Sequence, residues 1–298
     1  EPAEEIDRCT REIKALRRQR TELYWGAYPL NVLTNWGVLP NYAFPEEGVK
    51  LTSIITGIEV DDGHGNITNE YEVHEYRRGA ATAIKEFAPH NVFYGEGRKV
   101  EIDLIETGGL ENSNIEQWRF CDTCAYMEAI KPGDKPTVCP QCQSPMWKDG
   151  GQVHDILRLK AVGSKVSHIK SLSTDESDER DRKSYQVHDY IGMAEKDIVG
   201  GYYAPDKVFG FEFIKHVTLC EVNFGLSDPI GQKMQIAGEE ILDTGFVICP
   251  DCGIVNQSND PDKPTPHRRY CRFYNKKPKD VQWSSTFLYR QLQSEAIR

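Results

Sequence analysis

Eight side chains in two clusters carry the clearest chemistry in this sequence. Cys121-Asp122-Thr123-Cys124 is followed, after fourteen intervening residues, by Cys139-Pro140-Gln141-Cys142. Two cysteines separated by two residues present both sulfurs to one ion at about 2.3 Å, and a second such pair completes a tetrahedral all-sulfur shell. The second cluster is Cys249-Pro250-Asp251-Cys252-Gly253 and, after fourteen residues between Cys252 and His267, His267-Arg268-Arg269-Tyr270-Cys271. Three sulfurs and one imidazole are also a closed zinc set, and Gly253 suits the tight turn in which backbone amides face the sulfurs. Asp251 reads as a surface residue inside the knuckle. The spacing therefore predicts two zinc ions, each with every position filled by protein, which leaves no place for a reacting water and makes both sites structural. Unmetallated thiols are the alternative reading, and disulfides are disfavoured by paired Cys-x-x-Cys spacing in a chain of this size.

The remaining residues offer no engine. There is no Gly-x-x-x-x-Gly-Lys-Ser/Thr phosphate loop, no Gly-x-Gly-x-x-Gly, no His-Glu-x-x-His and no Gly-x-Ser-x-Gly elbow, so no catalytic residue is assigned. His64, His74, His90, His154, His168, His188 and His216 are scattered. Cys9 and Cys220 have no partner at ligand spacing and read as structural cysteines. The pair Glu239-Glu240 reads as helix or loop surface.

A formal net charge of -10 excludes a uniformly basic, nucleic-acid-coating surface. Two local patches run against that balance: Arg11, Lys14, Arg17, Arg18 and Arg20, then Arg268, Arg269, Arg272, Lys276, Lys277 and Lys279. Arg17, Arg18, Arg268, Arg269, Arg272, Lys276 and Lys277 are the candidate phosphate contacts, with solvated faces as the alternative. No stretch approaches the roughly 20 apolar residues of a membrane span and no secretory signal is present, which predicts a cytoplasmic protein with no membrane partner. The chain opens on Glu1-Pro2 without a methionine and closes on Ser294-Glu295-Ala296-Ile297-Arg298, which reads as the middle of a helix. Both ends read as cut, whether from a larger polypeptide or by processing.

These sites must be positioned by a scaffold of 298 residues, 39% of them hydrophobic, enough for one large core or a few smaller ones. Residues 5–24 read as one amphipathic helix, with Ile6, Ile13, Leu16 and Leu23 at near-helical spacing. Trp36 to Pro45 is an aromatic, glycine- and proline-punctuated loop whose rings could stack on bases or anchor a core. Val49 to Val60 and Tyr71 to Tyr76 form a hairpin about the turn-rich Asp61 to Asn66, and Val92 to Ile102 repeats strand, turn, strand. Ser171 to Ser184 is an exposed acidic connector, and Val208 to Val222 alternates as a strand does. The expected fold class is α+β: mostly antiparallel β modules with two zinc knuckle or ribbon insertions and flanking helices. Its segments are a helical connector and loop (1–45), a small β module (46–115), a four-cysteine ribbon (116–150), a β module (151–235), the Cys3His knuckle (236–275) and a final helical segment (276–298).

Several phrases, in chain order, resemble the region that follows the motor domains in a group of large bacterial DEAD/DEAH-box (superfamily 2) helicases. They are Gly37 to Pro45, Glu86-Phe87-Ala88-Pro89-His90-Asn91-Val92-Phe93-Tyr94-Gly95-Glu96-Gly97, the first knuckle pair, Gly245-Phe246-Val247-Ile248 with the second knuckle, and Leu288 to Arg298. The resemblance implies a zinc-binding segment that leads into a C-terminal helicase-associated domain, in proteins of DNA repair or of DISARM- and Druantia-type antiphage defence. It implies an accessory role in guiding a DNA strand or duplex end, with the rest of the helicase polypeptide and a defence-system subunit as partners. ATP and magnesium belong to the parent motor, outside this chain. The sequence departs from the family at His90 and at Ala125, where glycine is usual. The competing expectation is a protein-docking scaffold within a multi-subunit complex.

Overall fold

The computed structural model divides the chain into two units, Glu1–Glu47 and Gly48–Arg298. It describes residue 17 and residues 48–297, apart from 62–66, 110–112, 134–135, 173–182, 193–194, 206–208, 228–231, 244, 259 and 261. Arg17 is helical and exposed. The rest of the helix expected over 5–24, the aromatic loop from Trp36 and most of the acidic connector lie outside the described residues.

The second unit is strand-rich. β1 (Gly48–Asp61) and β2 (Ile67–Gly79) form the expected hairpin, and α1 (Ala80–Glu86) follows. Ala80, Ala83 and Ile84 turn one face of α1 inward, and Asn91 Nδ2 donates to the Glu86 carbonyl at 2.8 Å, satisfying an oxygen that the helix end leaves open. β3 (Val92–Gly95) and β4 (Arg98–Glu101) are the second hairpin, followed by β5 (Leu104–Ile105), β6 (Ile115–Phe120), β7 (Met127–Ala129), β8 (Val153–Arg158) and β9 (Ala161–Ser167). A single turn, α2 (His168–Ser171), precedes β10 (Tyr185–Gly192), β11 (Ile198–Ala204), β12 (Phe209–Leu226), β13 (Gln232–Ile236), β14 (Glu239–Asp243), β15 (Phe246–Ile248) and β16 (Ser284–Ile297).

Two sheets dominate. The first has the order β2-β1-β9-β5, and the second β10-β12-β16-β8-β6-β7, with β11 added to β12 and β15 to β16. Most pairs are antiparallel, but β1 with β9 and β16 with β8 are parallel. The segments read along the chain therefore do not stand as separate modules. The first sheet joins strands from 46–115 and 151–235, and the second takes strands from every segment between 116 and 298.

The centre of the second sheet is apolar on both faces. Leu157 and Leu288 point into a core shared with Val49, Leu51, Phe87, Ile102 and Phe246, whereas Ile156, Phe287 and Tyr289 point into another with Phe120, Tyr190, Val222 and Phe224. Successive strand residues face opposite ways, so burial on both sides removes the polar alternation that usually marks a strand.

That double burial explains the main correction. Residues 276–298 hold a short 3-10 turn, Pro278–Asp280, and the 14-residue strand β16, not a helix. Leu288, Leu292 and Ala296 stand four apart among Gln, Glu and Arg, a helical pattern in isolation. Pairing with β12 on one side and β8 on the other overrides it. Glu239 and Glu240 likewise lie in a strand, where they pair with His188 at 3.1 Å and with Lys233 at 2.6 Å. Cys220 is buried in the second core, as expected of a structural cysteine.

His90 adopts φ 67°, the left-handed conformation that glycine enters at least cost. The turn after Pro89 thus keeps the geometry a glycine would give. Replacing His90 by glycine is expected to raise stability by about 0.5 kcal/mol, the relief of strain being partly offset by the extra freedom of the unfolded chain, and chemical denaturation would measure it.

Candidate metal centres

The two clusters are assembled from the same local device used three times. In the Cys139-Pro140-Gln141-Cys142 knuckle, Cys139 N donates to Ser144 O at 3.0 Å and Gln143 N to Cys139 O at 3.0 Å. In the Cys249-Pro250-Asp251-Cys252 knuckle the corresponding bonds are Cys249 N to Ile254 O and Gly253 N to Cys249 O, both 2.9 Å. Cys121 N repeats the first of these bonds to Tyr126 O at 3.0 Å. The residue after the knuckle is left-handed in both Cys-Pro-x-Cys turns, Gln143 at φ 63° and Gly253 at φ 72°.

The donor atoms converge. The sulfurs of Cys121, Cys124, Cys139 and Cys142 lie within 4.8 Å of one another, as do the ligand atoms of Cys249, Cys252, His267 and Cys271. In the first site Cys121 and Cys142 are 3.4 Å apart and Cys124 and Cys139 3.7 Å. In the second, Cys249 and Cys271 are 3.7 Å apart, and His267 Nδ1 stands 3.6 Å from Cys252 and 3.5 Å from Cys271. A tetrahedron with metal–sulfur bonds of about 2.3 Å has edges of about 3.8 Å, whereas a disulfide would bring sulfurs to about 2.05 Å. These distances fit a tetrahedral cation site, and all eight described cysteines are free thiols. His267 meets the sulfurs through Nδ1, and its ring packs on Trp283 with centroids 4.7 Å apart.

Backbone amides turn toward the sulfurs, as a negative centre requires: Thr123 N and Cys124 N to Cys121, Cys252 N to Cys249, Phe273 N to Cys271, at 3.4–3.5 Å. Burial pushes the Cys121 thiol well up and the Cys124 thiol up to about 11. In the second site the hydrogen bond between Cys249 and Cys252 holds the Cys252 thiol down and drives the Cys249 thiol up. Drawing the protons off such buried thiols requires a cation, and binding one releases protons.

Each site is tied to a sheet. Ala237 N and Gly238 N, in the turn between β13 and β14, donate to the carbonyls of Cys121 and Asp122 at 2.8 and 2.7 Å. The second knuckle is pinned to the first sheet by Ile105 N to Gly253 O and Val255 N to Asp103 O, both 2.9 Å. Asp251 is not among the converging ligands; its Oδ2 accepts from Arg272 N at 2.7 Å.

The candidate phosphate contacts are placed unequally. Arg268 is half-buried and paired with Asp103 at 3.5 Å, so its charge is already answered. Burial pushes that Asp103 carboxyl up to about 6, against the pull of the guanidinium. Arg269 is half-buried, whereas Arg272, Lys276, Lys277 and Lys279 are exposed. Among the described residues no carboxylate pairs with those four. Tyr270, beside them, is exposed as well. Arg18 lies outside the described residues.

No protein-family model, curated protein or solved structure matches the chain. Among the described residues no helix is long and apolar enough to cross a membrane.

Proposed function

We propose that this chain is a zinc-stabilised accessory region of an ATP-dependent DNA helicase or translocase, acting in antiphage defence or DNA repair, in which the two clusters hold structural zinc and the second presents a cationic loop to the DNA strand. The observation that carries the reading is the loop itself. Arg272, Lys276, Lys277 and Lys279 fall within eight residues directly after the ligand Cys271, exposed and without carboxylate partners among the described residues. On a chain of net charge -10, an unneutralised cationic cluster anchored to a rigid metal knuckle favours a polyanion. The helicase context rests on the family phrases, and hydrolysis of ATP with magnesium would belong to the parent motor.

The test is single-strand binding across a salt series. Affinity should fall with salt, and the paired change Lys276→Glu with Lys277→Glu should weaken binding at least tenfold. The slope of log affinity against log salt should shrink by about 0.7 for each phosphate contact removed. Affinity indifferent to salt, or to the paired change, would sink the nucleic-acid reading. Arg268 is unsuitable for this test, because removing it leaves Asp103 without its counter-charge.

A second reading, a docking scaffold within a multi-subunit defence complex, is favoured by one feature. β11, Ile198–Ala204, contains no charged residue and no proline, and Val199, Tyr202 and Tyr203 on it are exposed. Natural edge strands usually carry such blocks against pairing. Loss of partner capture by a Tyr203→Lys variant that still binds DNA would favour docking.

A further inference from the structure

The first metal site has a feature that ligand spacing does not require. Arg119, two residues before Cys121, is buried. Its Nη1 donates to the carbonyls of Trp147 at 2.5 Å and Asp149 at 3.0 Å, and its guanidinium stands 5.8 Å from the centre of the Trp147 ring. Trp147 in turn packs against Cys121 and Cys139, with Cys124 at the edge of the same cluster. Among the described residues no carboxylate pairs with Arg119. Glu128, opposite it in register, instead accepts from the Tyr126 hydroxyl at 3.0 Å.

A buried guanidinium satisfied only by neutral carbonyls is costly unless a negative centre lies close by. Four thiolates around one dication leave a formal excess of two negative charges, and here that centre lies one side chain away, behind Trp147. The second site makes the contrast. Three thiolates and a neutral imidazole leave an excess of one, and the arginine beside it, Arg268, is neutralised by Asp103. The more negative site is thus the one that faces an unneutralised buried cation.

We propose that Arg119 is the charge partner of the four-cysteine site: a positioning residue that raises its affinity for zinc through the field of the guanidinium, while its bonds to the carbonyls of Trp147 and Asp149 hold the indole over the sulfurs. This rests on the reading of the cluster as a zinc site. In the metal-free, thiol-protonated state the same cation lacks a counter-charge, so its attraction to the site is gained only in the loaded form and adds to the affinity for metal.

The experiment uses the full chain as Arg119→Gln and Arg119→Lys. Cadmium substitution followed by NMR separates an all-sulfur site from a three-sulfur, one-nitrogen site, so each can be titrated with chelator separately. Arg119→Gln should weaken the first site at least tenfold, the size of effect typical of groups behind metal ligands, and leave the second unchanged. With four protons competing for four thiolates, a tenfold loss should move the pH of half-release at the first site up by about a quarter of a unit. Arg119→Lys keeps the charge and loses the fork, and should stay within about threefold of the parent. Equal weakening by both variants would assign Arg119 to shape alone and overturn the proposal, as would an unchanged first site in Arg119→Gln. Should Arg119→Gln fail to fold, the lysine variant decides: near-parent affinity supports the charge role, and tenfold loss ends it. A parent chain that binds no metal at the first site would overturn the zinc reading itself, a result distinguishable from either of these.

Discussion

Gly253→Ala is expected to destabilise the protein by about 4 kcal/mol and to release the metal of the second site, whereas the equivalent change after the Cys139–Cys142 knuckle of the first site, Gln143→Ala, should cost almost nothing. Both positions are left-handed and make the same hydrogen bond back to the first cysteine of their knuckle. They differ in what lies beyond. A Cβ on Gly253 would stand 1.8 Å from the Ile105 carbonyl oxygen and 3.0 Å from its carbon. That neighbour is backbone, held in place by the bond from Ile105 N to Gly253 O, so it cannot swing aside as a side chain would. The left-handed conformation alone costs a non-glycine residue about 1–2 kcal/mol, and forcing knuckle and strand apart adds the rest. Gln143 faces solvent and already bears the conformational cost. Denaturant unfolding and metal content of the two variants, measured side by side, would check the contrast. Equal effects would mean that the contact with Ile105 is not what holds the second site.

Cys139→Ser should remove one metal ion per chain and unfold the first ribbon, a loss of several kcal/mol, because structural zinc supplies folding free energy directly and a shell of three ligands holds it poorly. Cys139 is fully buried against Trp147, and the turn between β13 and β14 leans on the Cys121 knuckle. Amide exchange should therefore quicken at Ala237 and Gly238 as well as across the ribbon. Cys220→Ser is the control. It is equally buried, lies in the second core and touches neither site, so it should cost about 1–2 kcal/mol and leave both ions bound. If Cys139→Ser kept the full metal content and the parent's melting behaviour, the structural role of the first cluster would be refuted.

Legibility followed range. The two converging Cys/His groups could be read because knuckle spacing is local, and so could the hairpin of β1 and β2, whose turn residues announce it. β16 could not, because what makes it a strand is its pairing with β8 and β12, far away in the chain, and nothing within Leu288 to Ile297 records that. Gly253 was readable as a turn glycine but not as a point of contact with Ile105. Arg119 was invisible for a related reason: one arginine in a strand looks like surface until the sheet buries it against Trp147. The cationic run after Cys271 was readable as composition, but only the fold separates Arg268, committed to Asp103, from the four exposed cations after it.

The position of β16 between β8 and β12 also sets an order of events during synthesis on the ribosome. The loops that bring the metal ligands together are short: Cys121 and Cys142 are 21 residues apart, Cys249 and Cys271 22. Closing the sheet requires contacts such as Ser284 with Asp155, 129 residues apart. Short loops close early and long ones late. A nascent chain can therefore load both knuckles while Ile156 and Leu157, on opposite faces of β8, still wait for Phe287 and Leu288 to emerge. On the zinc reading, metal capture would come first and core formation last, which would leave a metal-loaded intermediate with an open, apolar strand as the species most in need of protection from aggregation.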